Sequence, residues 1–230
     1  MRALRALLIT LVVLGGIFVA VDRAVVYFAE SEAEKRVSIP GATIGDTDVS
    51  IKGFPFLTQA VAAELDEVDV SISGIQTDTE GRRIRISRMD ATLRDVRLTD
   101  GFSGVTAAAA DGKVLLTYGD LSSTAGDGIA IGYGGDGKVK VTASVALPGG
   151  QPLSRSVLSS VTLVNGSTLR VRADKVPGEG IPVVEDLVRK KTDFERQVGG
   201  LPSGLEFRKI QPTAEGIEVT VAGTNVKLAG

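Results

Sequence analysis

The chain has 230 residues, a formal net charge of −2, 28 Gly, and no His, Cys or Trp. Without His and Cys it can build no Ser-His-Asp triad, imidazole base, thiol nucleophile, zinc finger or disulfide, and any metal would need oxygen ligands. The slightly acidic balance argues against nucleic acid as the main partner, because neutralising phosphates takes a basic excess.

Arg2 and Arg5 precede an apolar run from Ala6 to Val21, interrupted by Thr10 and closed by Asp22-Arg23. An export signal or a membrane anchor has this form. The best cleavage point, after Ala20, would put Phe18 where a small residue is needed, so an uncleaved anchor over residues 1–23 is expected, with cleavage as the alternative. A helix over the run reaches about 24 Å, short of the roughly 30 Å hydrocarbon core. The two arginines hold the N-terminus in the cytoplasm, which places everything after Arg23 on the extracytoplasmic side of the plasma membrane. Residues 24–39 read as a helical stalk, apolar to Ala29 and charged from Glu30 to Arg36, ended by Pro40-Gly41. Residues 40–230 show no internal boundary and are expected to form one domain.

From there the period is two. Val139, Val141, Ala143, Val145 and Leu147 share one face of a strand, and the same alternation runs through Ile129–Tyr133, Val157–Leu163 and Leu169–Ala173, with a hairpin turn at Asn165-Gly166. The phase slips between Leu65 and Val68 and between Leu93 and Val96, which predicts bulges near Asp66-Glu67 and Arg94-Asp95 and a curved sheet. Pro182, Glu185, Asp186 and a later Arg189-Lys190-Lys191, with Val184, Leu187, Val188, Phe194 and Val198 spaced by three and four, predict an amphipathic helix stopped by Gly199-Gly200. Strands return at Leu205–Ile210 and Gly216–Leu228, the latter shifting phase at Gly223 and Asn225. The fold class is therefore α+β, a long curved antiparallel sheet with one amphipathic helix behind an N-terminal apolar helix.

Gly132–Gly137 fits G-x-G-x-x-G, and Gly132–Lys138 opens a Walker A, but a phosphate cradle needs a helix next, and an alternating strand follows. A glycine-rich hairpin is the better reading. Glu64, Asp66, Glu67 and Asp69 lack the Ca²⁺-loop pattern and read as a solvated strand face. Arg82, Arg83, Arg85, Arg88, Arg94 and Arg97 crowd sixteen residues. Arg83 and Arg85 share a face and could hold a phospholipid headgroup or rest on an anionic membrane; the bland alternative is a solvated face that discourages edge pairing.

The stretch Gly53-Phe54-Pro55-Phe56-Leu57-Thr58-Gln59, entered from a short strand behind a membrane segment, resembles the LmeA family of actinobacterial envelope proteins. Gly112–Leu121, Phe194–Gly200, Leu201-Pro202-Ser203-Gly204-Leu205 and Gly216–Gly223 are similar to its central strand, closing helix, turn and terminal strand pair, so the likeness spans nearly all of the exported part. Many members carry Gly near where this chain reads Val61-Ala62-Ala63, a departure that bears on local geometry. The resemblance implies a non-catalytic, phospholipid-binding envelope protein without cofactor or metal, its curled sheet wrapped around a long helix in the manner of tubular lipid-binding domains. Val184, Leu187, Val188 and Phe194 would then line an acyl-chain cavity. Phe54, Pro55, Phe56 and Leu57 would stand at its mouth, either dipping into the bilayer or plugging the sheet end. Lipid transfer in support of envelope glycolipid maintenance would follow, with room for an envelope-biosynthesis protein as a further partner. The alternative is an envelope scaffold with a filled core.

Overall fold

The computed structural model describes residues 2–39, 41–79, 82–99, 104–125, 127–145, 153–174, 193–197 and 201–229. A single helix, α1 (Arg2–Arg36), runs without a break through Asp22-Arg23, about 52 Å of helix at 1.5 Å per residue. It is followed by β1 (Ala42–Thr43), β2 (Thr47–Lys52), the short α2 (Phe56–Ala62), β3 (Glu64–Thr79), β4 (Arg82–Thr99), β5 (Gly104–Thr117) and α3 (Tyr118–Ala125). Then come β6 (Ile129–Gly135), β7 (Lys138–Val145), β8 (Leu153–Val164), β9 (Thr168–Ala173), β10 (Phe194–Gln197), β11 (Leu205–Pro212) and β12 (Gly216–Ala229). The class is α+β with antiparallel sheets, as the alternation predicts.

Two sheets form among the described residues. The larger has the order β1-β3-β4-β5-β12-β11, with β2 also on β3; the smaller has the order β10-β9-β8-β7-β6. Val139, Val161 and Val171 of the smaller sheet pack with Tyr118, Ile210 and Ile217, which joins it to the far end of the larger one. The β8–β9 and β6–β7 hairpins turn through left-handed pairs, Asn165-Gly166 and Asp136-Gly137, residue types that tolerate positive φ. The second pair disposes of the phosphate-loop motifs, because Gly132–Gly135 is strand and Lys138 opens the next strand.

The phase slips are present and aligned, but the bulges predicted near Asp66-Glu67 and Arg94-Asp95 are not: pairing holds one register through both places, with no extra residue on either strand. Leu65↔Val96 and Glu67↔Arg94 bracket Asp66 and Asp95; Arg94↔Ala109 and Val96↔Ala107 bracket Asp95 and Ala108; Thr224↔Ala109 and Val226↔Ala107 bracket Ala108 and Asn225. Four strands thus each place two consecutive residues outward on one transverse row, and register is kept across it. Asp95 and Asn225 take the left-handed conformation there, at φ 49° and 50°. Inward residues stand three apart across the row, as Leu65 and Val68, Leu93 and Val96, and Ala107 and Ala110 are all buried. The slip in β5 left no mark in the sequence because positions 107–110 are all alanine, and a run of one small residue carries no phase.

The core under this row joins Leu65, Val68, Leu93, Val96, Ala107, Ala110 and Val226 to Val49, Ile51 and Phe56, closed by Val26, Ala29, Ala33 and Val37. The segment expected as a stalk is therefore packed on the sheet.

The expected amphipathic helix needs correction at its end. Phe194–Gln197 is β10, paired with β9 from Phe194↔Val171 to Gln197↔Thr168. Ladder hydrogen bonds and the cross-strand ion pair of Arg170 with Glu195, at 2.6 Å, favour a strand over a helix's last turn. Val184, Leu187 and Val188 lie outside the described residues.

Candidate functional site

One stripe of α1, at every fourth residue from Asp22 through Val26 and Glu30 to Glu34, faces the domain. Its three carboxylates each accept a backbone N–H: Leu57 to Asp22 at 2.9 Å, Ile51 to Glu30 at 2.7 Å and Val49 to Glu34 at 3.4 Å. The match is one of pitch. Four helical residues advance about 6.0 Å and two strand residues about 6.6–6.8 Å, so Glu30 and Glu34 meet the alternate outward N–H groups of edge strand β2. The helix occupies the place of a further strand and closes that edge.

At Asp22 the same helix meets the Gly53–Gln59 motif. Asp22 is fully buried, with one oxygen on the Leu57 N–H at the start of α2 and the other on the Arg23 guanidinium at 2.6 Å. Arg23 also donates to the Gly53 carbonyl at 3.2 Å and lies 5.5 Å from the centre of the Phe54 ring. The Phe54 ring, 57% exposed, meets Phe18 edge-on at 6.3 Å between centroids. Phe56 turns the other way into the core, and Pro55 and Leu57 are half-buried. Gln59, buried, ties the turn to both flanking strands: its carbonyl oxygen accepts from the Asp66 N–H at 2.8 Å and its amide donates to the Lys52 carbonyl at 3.3 Å. Ala63 ends α2 at φ 53°, the left-handed cap that glycine favours.

Beyond the end of α1's cover, the inward face of the larger sheet continues as a row across six strands, Thr47, Ile72, Met89, Val114, Val219 and Ile210. Met89, Val114 and Val219 are only half-buried, as is Ala91 in the neighbouring row, while Ile210 at the end of the row packs on the smaller sheet. This is apolar surface on the inward face of the sheet. Sequence reasoning singled out none of these positions: alternation shows which way a side chain points, not whether anything lies over it.

The arginine candidates lie elsewhere. Arg85 pairs with Gln76 and is exposed; Arg83 pairs with Asp78 in backbone register. Both sit near the β3–β4 hairpin, about 40 Å along β3 from the α2 end at roughly 3.3 Å per residue. Arg85 acts on Asp120 of α3. Burial works against ionisation of that carboxyl, but hydroxyl hydrogen bonds from Thr117 and Ser87, both 2.7 Å, and the charge of Arg85 outweigh it and hold Asp120 below the usual carboxylate range. Arg94 and Arg97 are paired on the outer face, Arg94 with Asp111 and Glu67 and Arg97 with Glu64. Glu64, Glu67 and Asp69 of β3 thus belong to cross-strand ion pairs, and no cluster of metal-ligating side chains occurs among the described residues.

No curated protein matches this sequence. Among solved structures, the di-domain ARO/CYC StfQ from the steffimycin biosynthetic pathway aligns with 80% of this chain and 74% of its own, at 8% identity and a TM-score of 0.14, a likeness too slight to bear on fold or function. The profile of a phospholipid-binding family matches residues 20–222, from the end of the apolar run to the middle of β12, and so takes in Asp22, the Gly53–Gln59 turn and the inward face of the larger sheet. The chain belongs to the LmeA-like phospholipid-binding family.

Proposed function

We propose that the protein is a non-catalytic phospholipid carrier of the cell envelope, anchored in the plasma membrane by α1 with Arg2 and Arg5 on the cytoplasmic side. Family membership over residues 20–222 carries this reading. The half-buried inward row of Met89, Val114 and Val219 supports it, because an unspecific apolar lining suits flexible acyl chains. In this reading the tails lie along that row and along the predicted lining of Val184, Leu187, Val188 and Phe194. The headgroup is held at the hairpin end by Arg83 and Arg85, whose guanidinium groups suit phosphate. Transfer of the lipid toward envelope glycolipid synthesis is the proposed use.

Mass spectrometry of lipid extracted from the purified full-length protein tests the binding, with a stoichiometric phospholipid expected. Protein that carries only detergent, and takes up no phospholipid when offered it, overturns the proposal. One observation favours the scaffold reading: under α1 the core is filled, with Ala107 and Val226 fully buried. The same extraction decides between the two.

A further inference from the structure

In sequence, the apolar run ends at Asp22-Arg23 and is too short for a bilayer. In the fold one of those two charges, Asp22, is removed from the helix surface that lipid would see, and the other, Arg23, its side chain 46% exposed, is paired with it. Asp22 is sealed between Arg23 and the Leu57 N–H, and Arg23 is drawn over Gly53 and Phe54. The face of α1 turned away from the domain stays apolar past them, through Ala24, Val25, Tyr27 and Phe28, all exposed; the two rings are 68% and 70% exposed. Counted to Phe28, the apolar face is about 34 Å long, against about 24 Å for the uninterrupted run and a hydrocarbon core of roughly 30 Å.

The Phe18–Phe54 contact fixes the depth of the domain on that scale. Phe18 lies within the membrane run, about 6 Å of helix before Asp22, and the Phe54 ring reaches back along α1 to meet it, its centre 6.3 Å away. We propose that the α2 end of the domain is partly immersed in the outer leaflet of the bilayer that α1 spans, with Phe54 in the hydrocarbon margin and Tyr27 and Phe28 at headgroup level, where aromatic rings are favoured. The occupant of this exposed apolar surface is the membrane itself, reached by continuity with the anchor. α2 occupies the same end, and its Val61 is 90% exposed. The proposal rests on α1 being a membrane span, but not on any lipid being carried.

The absence of Trp makes the test direct. Single-Trp variants Phe18→Trp, Phe54→Trp, Phe28→Trp and Tyr133→Trp of the full chain are reconstituted into phosphatidylcholine vesicles with a minority of phosphatidylglycerol, with and without brominated acyl chains. Quenching several-fold stronger at Phe54→Trp and Phe28→Trp than at Tyr133→Trp, with blue-shifted emission, is expected. A Phe54→Trp signal no more quenched than Tyr133→Trp, while Phe18→Trp is quenched, overturns the immersion and leaves the span standing. Loss of quenching at Phe18→Trp as well overturns both. Should Phe54→Trp misfold, Phe28→Trp reads the shallower headgroup level of the same placement, and quenching there no stronger than at Tyr133→Trp overturns it. Brominated lipid supplied at one equivalent in an unlabelled bilayer fills a protein groove without labelling the surroundings, so quenching already complete there counts against immersion.

Discussion

Glu30 offers a sharp test of whether α1 is part of the domain or merely its tether. Its carboxylate accepts the Ile51 N–H at 2.7 Å, and Glu30→Ala leaves that edge donor without a partner in a half-buried place. A hydrogen bond to a charged group is worth about 1.5–3 kcal/mol, and an unmet buried donor costs a similar amount. For a domain of this size each kcal/mol shifts the melting temperature by about 2–4 °C, so Glu30→Ala should melt roughly 3–12 °C below the parent. Glu34→Ala, at a bond of 3.4 Å, should lose less, about 1 kcal/mol at most. Glu32→Ala is the control, since that side chain faces solvent and pairs only with Lys35 and Arg36, a change of about 0.5 kcal/mol or less. Circular dichroism melts of the full chain in detergent, with hydrogen exchange at the Ile51 amide, read the effect. A Glu30→Ala melt equal to that of Glu32→Ala, with Ile51 exchange unchanged, would refute the clasp and return α1 to the status of a stalk.

Ala63→Gly should stabilise the protein by about 0.5–1 kcal/mol, because the left-handed cap at φ 53° strains any residue with a Cβ; an unchanged or lower melting temperature would count against that. Gly223→Ala should abolish folding, since its Cβ would collide with the Gly204 carbonyl, whereas Gly132→Ala meets nothing and should be tolerated; soluble yield and melting temperature separate the two. Hydrogen bonds from Lys138 and Ser160, partly opposed by burial, hold the Asp174 carboxyl below its ordinary 3.8. A depressed carboxylate adds stability above its unfolded value and loses it as pH falls through the folded one. Asp174→Asn should therefore melt below the parent at pH 6, with the gap closing as pH falls below 3.8; a gap independent of pH argues against the linkage. Arg85→Gln should weaken binding to anionic vesicles and reduce its salt dependence while changing the melt by about 0.5 kcal/mol or less, the loss of its charge beside Asp120 included; undiminished binding at low salt leaves it only the Asp120 role.

Periodicity in the sequence was enough for the strands, the hairpins and the three phase slips at Asp66-Glu67, Arg94-Asp95 and Gly223–Asn225, because each slip displaces large apolar side chains by one position. Two kinds of information were not local. The outward N–H groups of β2 find their acceptors in Glu30 and Glu34, some twenty residues earlier, and nothing in a run of charged helix residues distinguishes a carboxylate that meets a strand from one that meets water. The Phe54–Leu57 turn was legible as a special segment. Its division of labour was not, since Phe56 enters the core and Phe54 turns to α1 only once Asp22 has captured the Leu57 N–H. At Phe194–Gln197 two periods compete in four residues, and pairing with β9 decides for strand.

The row through Asp66, Asp95, Ala108 and Asn225 works as a seam. Because every strand crossing it places two consecutive residues outward there, the inward face changes phase along one line through four strands at once. This gives length changes an unusual grammar. Removing one residue at Asp95 alone would turn every β4 side chain on one side of the line inside out, putting Ile86 and Met89 against solvent or Val96 and Leu98 against it, while β3 and β5 stayed in place. A matching removal in each of the four strands would keep every pairing and merely remove the change of phase. Insertions and deletions should therefore be tolerated in the hairpin loops and forbidden at the seam, unless all four strands change together.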